Sequence, residues 1–212
     1  MKKSDAIKII EILKNTYPDA QCSLDFKTPF QMVVAVMLSA QCTDERVNKT
    51  TPALFNKCKN IEDFANIDIN ELENIIHPCG FYKNKAKNIK LCANQVLNDY
   101  NGVVPNNMKD LMNLAGVGRK SANVVMLEVF DTPMGIAVDT HAKRISNLVG
   151  FSNESDPAKI EQDLIKLIPK NYWKDVNHLL IWHGRNICVA RSPKCEKCPI
   201  NKYCNFYKHT NK

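Results

Sequence analysis

Four cysteines in the last part of the sequence have the spacing that most clearly indicates chemistry. They fall within seventeen consecutive residues, whereas the other cysteines are scattered; the four are Cys188, Cys195, Cys198 and Cys204. Thiolates that converge on one point repel each other unless a cation lies between them. The spacing therefore predicts a metal centre closed by one short loop, and an iron–sulfur cluster fits it well. Zinc is the alternative, but zinc sites usually show two separated short pairs, and only one C-x2-C pair is present here.

A glycine-containing turn leads directly into a lysine in the segment Leu114-Ala-Gly-Val-Gly-Arg-Lys120. Gly116 and Gly118 lie between two predicted helices, and glycine lets another molecule approach the main chain closely. The second helix would point its unpaired N–H groups outward, which is a natural seat for phosphate. Such a contact holds DNA without reading its sequence. A lone Gly-x-Gly more often marks a tight turn, but Arg119-Lys120 directly after it favours phosphate binding.

Lys120 and Asp139 are the candidate catalytic residues. Lys120 occupies the first turn of a predicted helix, where the helix dipole disfavours a cation, so it either meets an anion or loses its proton. A neutral amine is a nucleophile, and partial burial would favour that form. Asp139 is either a helix N-cap, which the sequence favours, or a carboxylate facing the cation that forms when a glycosidic bond breaks. His183, in contrast, is interpreted as a structural hydrogen-bonding residue.

Composition limits the class of protein more weakly. The chain has 212 residues, of which 24% are charged and 44% hydrophobic, as in an ordinary globular protein. Its net charge of +7 suits a polyanionic partner without establishing one. Lys8, Glu11 and Lys14 interrupt the first apolar residues at helical spacing, so we predict an amphipathic helix and no signal peptide. No apolar run approaches the length of a membrane span, and nine cysteines without an export signal favour the cytoplasm.

The elements that position these residues are predicted to be almost wholly helical. Helix-start signals occur at Thr28-Pro29, at Thr43 and at Asp68 with Glu71, and Pro52 is expected to begin a helix anew. Helical spacing predicts further helices over 108–113, about 119–130 and about 173–187. Two short apolar runs are weak strand signals, Val103-Val104 and Gly135-Ile-Ala-Val138.

Several motifs together resemble the endonuclease III family of base-excision DNA glycosylases. They are Ser39-Ala-Gln41 with Thr43-Asp44, Gly116-Val-Gly-Arg-Lys120, Ser121-Ala-Asn-Val-Val125, Ala137-Val-Asp-Thr-His141, His183-Gly-Arg185 and the four cysteines. The resemblance implies an all-α, two-domain helix-hairpin-helix DNA glycosylase fold. It implies a six-helix barrel over residues 22–132, a cluster domain formed by 1–21 and 133–212, and a DNA cleft between them. It also implies that the four cysteines hold a [4Fe–4S] cluster.

The resemblance further implies the reaction and its partner. The partner would be double-stranded DNA with a damaged base or an abasic site, bound by a monomer that has no membrane partner. An oxidised pyrimidine would be turned out of the duplex, because its sugar C1′ is shielded within the stack. Lys120 would attack C1′, displace the base and form a Schiff base, and β-elimination would break the strand 3′ to the lesion. Asp139 would assist lysine activation and stabilise the sugar cation.

The same resemblance implies a set of DNA contacts. Gln41 would fill the space that the extruded nucleotide leaves, and Phe81 would wedge into the base stack. The other contacts to DNA would come from Gly116, Gly118, Arg119, His141, Arg191 and Lys194.

The chain departs from the family pattern at three positions. Residue 115 is Ala where proline is usual, so the hairpin is expected to be less rigid. Residue 81 is Phe where an aliphatic residue is common, but an aromatic wedge stacks on bases equally well. Ser192 stands where a basic residue is frequent, which is expected to weaken phosphate binding modestly.

Two other functions remain open at this point. One is an adenine-specific mismatch glycosylase, a family that lacks the nucleophilic lysine and carries a further C-terminal domain. Lys120 and the end of the sequence at Lys212 argue against it. The other is a non-catalytic DNA-binding protein with a metal cluster, which predicts salt-sensitive binding without strand cleavage.

Overall fold

Helices account for all regular structure in residues 1–210, the part of the chain that a computed structural model of the protein describes. This confirms the all-α prediction, and the two short apolar runs with weak strand signals are loops. Residues 211–212, the last two of the predicted cluster domain, lie outside the described residues. The chain divides into a central unit, Ser23–Met134, and a terminal unit that combines Met1–Cys22 with the chain from Gly135 onward.

The α-helices of the described chain are numbered in order. They are α1 (Lys3–Thr16), α2 (Pro29–Ser39), α3 (Asp44–Lys57), α4 (Ile61–Asn66), α5 (Ile69–Ile76), α6 (Tyr82–Asp99), α7 (Met108–Asn113), α8 (Arg119–Phe130), α9 (Thr140–Val149), α10 (Pro157–Leu167), α11 (Trp173–Asn186) and α12 (Asn205–Thr210). Short 3-10 helices occur at His77–Cys79, Lys170–Tyr172, Cys195–Lys197 and Asn201–Tyr203.

Helix α2 is the buried axis of the central unit. Its residues from Phe30 to Leu38 are all buried, as expected for a helix that is apolar all round. The start of α2 follows the predicted signal: Pro29 is its first residue, and Oγ1 of Thr28 accepts the N–H of Gln31 at 3.2 Å. Helices α3, α6 and α8 pack against α2, so this buried helix contacts the helix that carries Lys120.

The predicted helix starts at Thr43 and Asp68 are also confirmed. Thr43 caps α3, and Oδ1 of Asp68 accepts the N–H groups of Asn70 and Glu71 at the start of α5. Glu71 does not complete a capping box with Asp68, because its carboxylate pairs with Nζ of Lys57 at 2.7 Å.

The prediction that Pro52 begins a new helix is wrong. Helix α3 runs without a break from Asp44 to Lys57, and Pro52 lies inside it. The ring of Pro52 is on the exposed side, whereas Thr51 and Leu54 are buried. Burial of the inward face therefore outweighs the backbone hydrogen bond that proline removes.

One hydrophobic core holds the terminal unit together. Helix α1 contributes a fully buried face, which confirms the predicted amphipathic helix: Ala6, Ile9, Ile10 and Leu13. These side chains pack with the buried faces of α9, α10 and α11, and Cys188, Cys198 and Cys204 pack against the same core. None of the helices in residues 1–210 combines the length and the apolar character that a membrane span requires.

Candidate active site and metal centre

The two glycines of the hairpin between α7 and α8 are present for different reasons. Gly116 has φ +77°, and a Cβ added there would lie 3.0 Å from Cβ of Asn88. The positive φ therefore favours glycine at this position, and the tight contact with Asn88 leaves little room for a side chain. Gly118 has φ −90°, and a Cβ added there would meet nothing within 4 Å. The fold itself therefore does not require Gly118.

The hairpin presents backbone N–H groups at the start of α8. The N–H of Val117 donates to the carbonyl oxygen of Leu114 at 3.1 Å, whereas those of Gly116 and Gly118 donate to no backbone carbonyl of residues 1–210. Gly118 is the N-cap of α8 and has no side chain to cap it. Unpaired N–H groups at a helix start, together with the helix dipole, attract an anion such as phosphate.

A glutamine from α6 restrains the hairpin at the position where the family usually has proline. Oε1 of Gln95 accepts the N–H of Ala115 at 2.7 Å, and Nε2 of Gln95 donates to the carbonyl oxygen of Asn113 at 3.2 Å. Proline has no N–H and would not make the first of these bonds. Ala115 therefore lacks the rigid proline ring but keeps an N–H that Gln95 holds. The sequence did not reveal this contact.

Lys120 is the second residue of α8 and is exposed. The predicted helix start is confirmed. The partial burial that would favour a neutral amine is absent at Lys120, because its side chain is exposed. Gly118, the N-cap directly before α8, carries no side chain. The Lys120 amine is therefore accessible to a ligand that docks on the hairpin.

Asp139 caps α9, as the sequence favours. Its Oδ1 accepts the N–H of Ala142 at 2.7 Å, which leaves Oδ2 outside the cap. The loop before it is held by Nδ2 of Asn177, which donates to the carbonyl oxygen of Ala137 at 2.7 Å. Asp139 belongs to the terminal unit and Lys120 to the central unit.

His141 and the His183-Gly-Arg185 motif meet where α9 packs on α11. A Cβ added at Gly184 would lie 2.6 Å from Nδ1 of His141 and 3.0 Å from Nη2 of Arg144. Glycine is thus needed for this close approach. Nη2 of Arg144 donates to the carbonyl oxygens of Cys188 at 2.6 Å and Gly184 at 3.3 Å, which ties α9 to the start of the cysteine segment.

Gln41 and Phe81, the two predicted DNA-inserting residues, are exposed and adopt an unusual backbone conformation. Their φ angles are +55° and +49°, and the side chain of Phe81 is 66% exposed. Left-handed φ angles are uncommon in residues other than glycine and persist where the surroundings impose them. Both residues lie in loops of the central unit, one after α2 and one before α6.

The four clustered cysteines line one cavity of the terminal unit. Apolar side chains form much of the remaining wall: Leu148, Val149, Ile187, Pro193, Ile200 and Phe206. Within residues 1–210, no three His, Cys, Asp or Glu side chains are grouped so as to hold a single metal ion. The four thiols are instead arranged around the cavity, and such an all-sulfur donor set suits an iron–sulfur cluster.

Electrostatics at this cavity oppose four free thiolates. Burial first, and then repulsion from Cys188, Cys204 and Cys195, raise the pKa of Cys198 to about 11. Burial also raises the pKa of Cys188 and of Cys195. Positive charge at the centre is therefore needed to stabilise the thiolates, and this donor set fits a cationic iron core.

A hydrogen-bonded chain leads from α1 to one of these thiols. Oη of Tyr17 lies 3.0 Å from Nδ1 of His183, and Nε2 of His183 lies 3.5 Å from Sγ of Cys198. Burial and the charge of Arg144 lower the pKa of His183 to about 4, so the ring is neutral. A ligating thiolate only accepts, so Nε2–H of His183 would donate to it and Nδ1 would accept from Tyr17. The structural interpretation of His183 is confirmed, and Tyr17 is a partner that the sequence did not indicate.

The basic residues predicted to bind phosphate lie between the first two cysteines. Arg191 and Lys194 are exposed, as is Ser192. Nζ of Lys194 donates to the carbonyl oxygen of Asn186 at 3.1 Å, which holds this segment near the end of α11.

Comparison with known proteins gives two family matches. Residues 34–170 match the HhH-GPD superfamily of base excision DNA repair proteins. Residues 188–204 match the iron–sulfur binding domain of endonuclease III, a range that begins and ends at a cysteine of the cluster motif.

Similar proteins align over nearly the whole chain. The chain is 47% identical over 203 residues to Endonuclease III of Synechocystis sp., covering 96% of this chain and 93% of the relative. It is 42% identical over 196 residues to Endonuclease III of Bacillus subtilis, covering 92% of this chain and 89% of that relative. Its fold also matches a solved non-covalent Endonuclease III–DNA complex, with TM-score 0.94, 40% identity, and coverage of 100% and 99%. A second match, a trapped Endonuclease III–DNA covalent intermediate, has TM-score 0.94, 40% identity, and coverage of 100% of both chains.

Proposed function

Since the chain belongs to the endonuclease III family of base-excision repair enzymes, we propose that Lys120 is the nucleophile of its DNA glycosylase and abasic-site lyase reactions. The enzyme has the helix-hairpin-helix glycosylase fold and a [4Fe–4S] cluster as its cofactor. The observation that carries the proposal is the exposed Lys120 in the first turn of α8, directly after the unpaired N–H groups of the hairpin. A similar protein has been trapped as a covalent intermediate with DNA, which supports a nucleophile on the enzyme.

The proposed chemistry proceeds in two stages on an oxidised pyrimidine nucleotide turned out of the duplex. The lone pair of the neutral Lys120 amine forms a bond to C1′, and the bond between C1′ and the base breaks as the base leaves with its electron pair and gains a proton. Nζ then loses one proton, and the bond between C1′ and O4′ breaks as O4′ takes up a proton, which opens the sugar ring and gives a protonated imine between Nζ and C1′. A proton then leaves C2′, and the bond between C3′ and its oxygen breaks, which releases the strand 3′ to the lesion.

Asp139 is proposed to assist this reaction through its charge. Oδ1 is engaged by the α9 cap, and the cap fixes the orientation of the carboxylate. Oδ2 would then accept a proton from the lysine or face the positive charge that develops on the sugar as the base leaves. A capped carboxylate needs no reorganisation to do so.

The DNA contacts are proposed on the same basis. The N–H groups of Gly116 and Gly118 would hold a phosphate, and the open space beside Gly118 leaves room for the strand. Gln41 and Phe81, which have left-handed φ angles at the exposed tips of two loops, would enter the duplex. Gln41 would fill the space that the extruded nucleotide leaves, and Phe81 would enter the base stack. Further phosphate contacts are assigned to Arg119, His141, Arg191 and Lys194.

The four cysteines are proposed to hold the cluster, which would supply a cross-link between the two ends of the segment 188–204 and so fix the backbone of Arg191 and Lys194. We propose residues 22–132 as the six-helix barrel domain and residues 1–21 with 133–212 as the cluster domain. We also propose that the enzyme is a cytoplasmic monomer that acts on damaged double-stranded DNA. The comparisons do not favour an adenine-specific mismatch glycosylase or a non-catalytic DNA-binding protein.

Borohydride trapping tests the nucleophile. Duplex DNA with an abasic site is incubated with the enzyme and sodium borohydride, which reduces an imine to a stable amine link. We expect a covalent adduct with the unmodified chain and none with Lys120→Gln. Lys109→Gln, which changes another exposed lysine of the central unit, is the matched control and is expected to trap normally. An adduct that persists in Lys120→Gln would refute the assignment.

A further inference from the structure

Lys85 is a buried lysine of the central unit whose charge the reaction does not use. Its side chain lies on α6 and is 7% exposed. Its Nζ donates to the carbonyl oxygen of Leu38 at 2.8 Å and to that of Cys79 at 2.9 Å. Burial lowers the pKa of Lys85, because the ammonium has left water. Core stability alone does not explain a charge here, since an apolar side chain of similar size would fill the site without that desolvation cost.

The two carbonyl groups belong to two different helix ends. Leu38 is in the last turn of α2, where carbonyl oxygens lack intrahelical partners, and Cys79 ends the 3-10 helix before α6. A cation is favoured at both places, because carbonyl oxygens concentrate at a helix C-terminus. One ammonium group thus joins two chain segments that are forty-one residues apart in sequence.

The two predicted DNA-inserting residues follow directly after these carbonyls. Gln41 is three residues beyond Leu38, and Phe81 is two residues beyond Cys79. The backbone N–H of Lys85 also donates to the carbonyl oxygen of Phe81 at 3.1 Å. Strained backbone at two exposed tips needs a support that fixes both, and Lys85 bonds to the segment behind each one.

We infer that Lys85 is the positioning residue that sets the separation of the Gln41 and Phe81 tips, so that both enter the duplex together when a nucleotide is extruded. The inference rests on the proposed insertion of these two residues into DNA. Lys85 itself does not touch the substrate in this scheme. Its effect is to keep the tips in the inserting arrangement before DNA binds, so that the binding energy is not used to order them.

The test compares two abasic substrates that differ in the need for insertion. Duplex DNA requires the tips to open the stack and fill the gap, whereas single-stranded DNA has no stack to open. The variant Lys85→Met keeps the length of the side chain and removes the ammonium. We expect kcat/KM for strand cleavage to fall at least about tenfold on the duplex and to change less than about twofold on the single strand.

Lys90→Met is the matched control on the same helix. Nζ of Lys90 donates to the carbonyl oxygens of Ala65 and Ile67 at the end of α4, which is the same type of contact behind a different loop. This variant should lose thermal stability but keep the duplex-to-single-strand ratio of the unmodified enzyme. A fluorescent base analogue opposite the abasic site gives a second readout, since its unstacking should be slowed only by Lys85→Met.

Each outcome bears on the inference. An unchanged ratio in Lys85→Met, or an equal fall in Lys90→Met, would overturn the positioning role. Where Lys85→Met does not fold, Lys85→Arg keeps the charge but alters the hydrogen-bond geometry, and the same selective loss on the duplex is expected. Absence of cleavage by the unmodified enzyme on both substrates would refute the proposed function instead, so the two failures are distinguishable.

Discussion

Asp139 offers a prediction in which a structural role and a catalytic role separate cleanly. Its Oδ1 caps α9 through the N–H of Ala142 at 2.7 Å, and we propose that its charge also assists base release. Three substitutions divide these roles. Asp139→Asn and Asp139→Ser keep a cap oxygen and lose the charge, whereas Asp139→Ala loses both.

The expected magnitudes follow from the cap and the charge. Loss of the cap in Asp139→Ala costs about 1 kcal/mol in the free energy of unfolding, which lowers Tm by about 2–4 °C in a chain of this size. Loss of the charge at the helix N-terminus alone costs about 0.3–1 kcal/mol in Asp139→Asn. Removing a preorganised electrostatic stabiliser typically slows the chemical step by about a hundredfold or more. The kinetic effect of Asp139→Asn should therefore greatly exceed its effect on stability.

The assay is single-turnover release of an oxidised pyrimidine from duplex DNA, with DNA affinity and thermal unfolding measured on the same samples. We expect Asp139→Asn and Asp139→Ser to release the base about a hundredfold more slowly, with DNA affinity largely retained. Base release at the normal rate in Asp139→Asn, together with a destabilised Asp139→Ala, would show that Asp139 is only a helix cap.

Two further predictions concern the hairpin. Gly118→Ala should bind DNA at least tenfold more weakly while Tm falls only slightly, because the added Cβ meets no protein atom within 4 Å. Gly116→Ala should lower Tm more, because φ is +77° and the added Cβ would lie 3.0 Å from Cβ of Asn88. DNA titration and thermal unfolding measure both effects, and equal DNA binding by Gly118→Ala and the unmodified chain would contradict the proposed phosphate site. Gln95→Ala should lower the free energy of unfolding by about 1–3 kcal/mol, because two hydrogen bonds to the hairpin are lost. Ala115→Pro should cost less in the Gln95→Ala background than in the unmodified chain, because the hydrogen bond from the N–H of residue 115 to Gln95 is already missing there. Thermal unfolding of the four proteins of this cycle measures the coupling, and additive effects would refute the clamp.

Local signals in the sequence predicted much of this fold. The Thr28-Pro29 start of α2 and the cap at Asp139 depend on residues within one helical turn, and the span of α8 follows from spacing along that segment; the structure confirms all three. Pro52 shows where local rules fail, because the packing of α3 on its neighbours outweighs one lost hydrogen bond.

The candidate site divides in the same way. The positions of Lys120 after the hairpin and of the cysteines around one cavity follow from motifs along the chain, and their roles remain predictions. The links that support them are long-range. Lys85 bonds to backbone carbonyls, which every residue carries, and Tyr17 meets His183 across 166 positions, so neither contact leaves a pattern in a single sequence.

The discontinuous terminal unit imposes an order of events on the nascent chain. Helix α1 leaves the ribosome early, but its partners in the core, above all α11, are encoded about 160 residues later. At about 5–20 residues per second, the apolar face of α1 waits roughly 8–30 s for them, while the central unit is completed. The four cysteines follow α11 in the sequence, so their thiols become available only after every helix of this core has been translated.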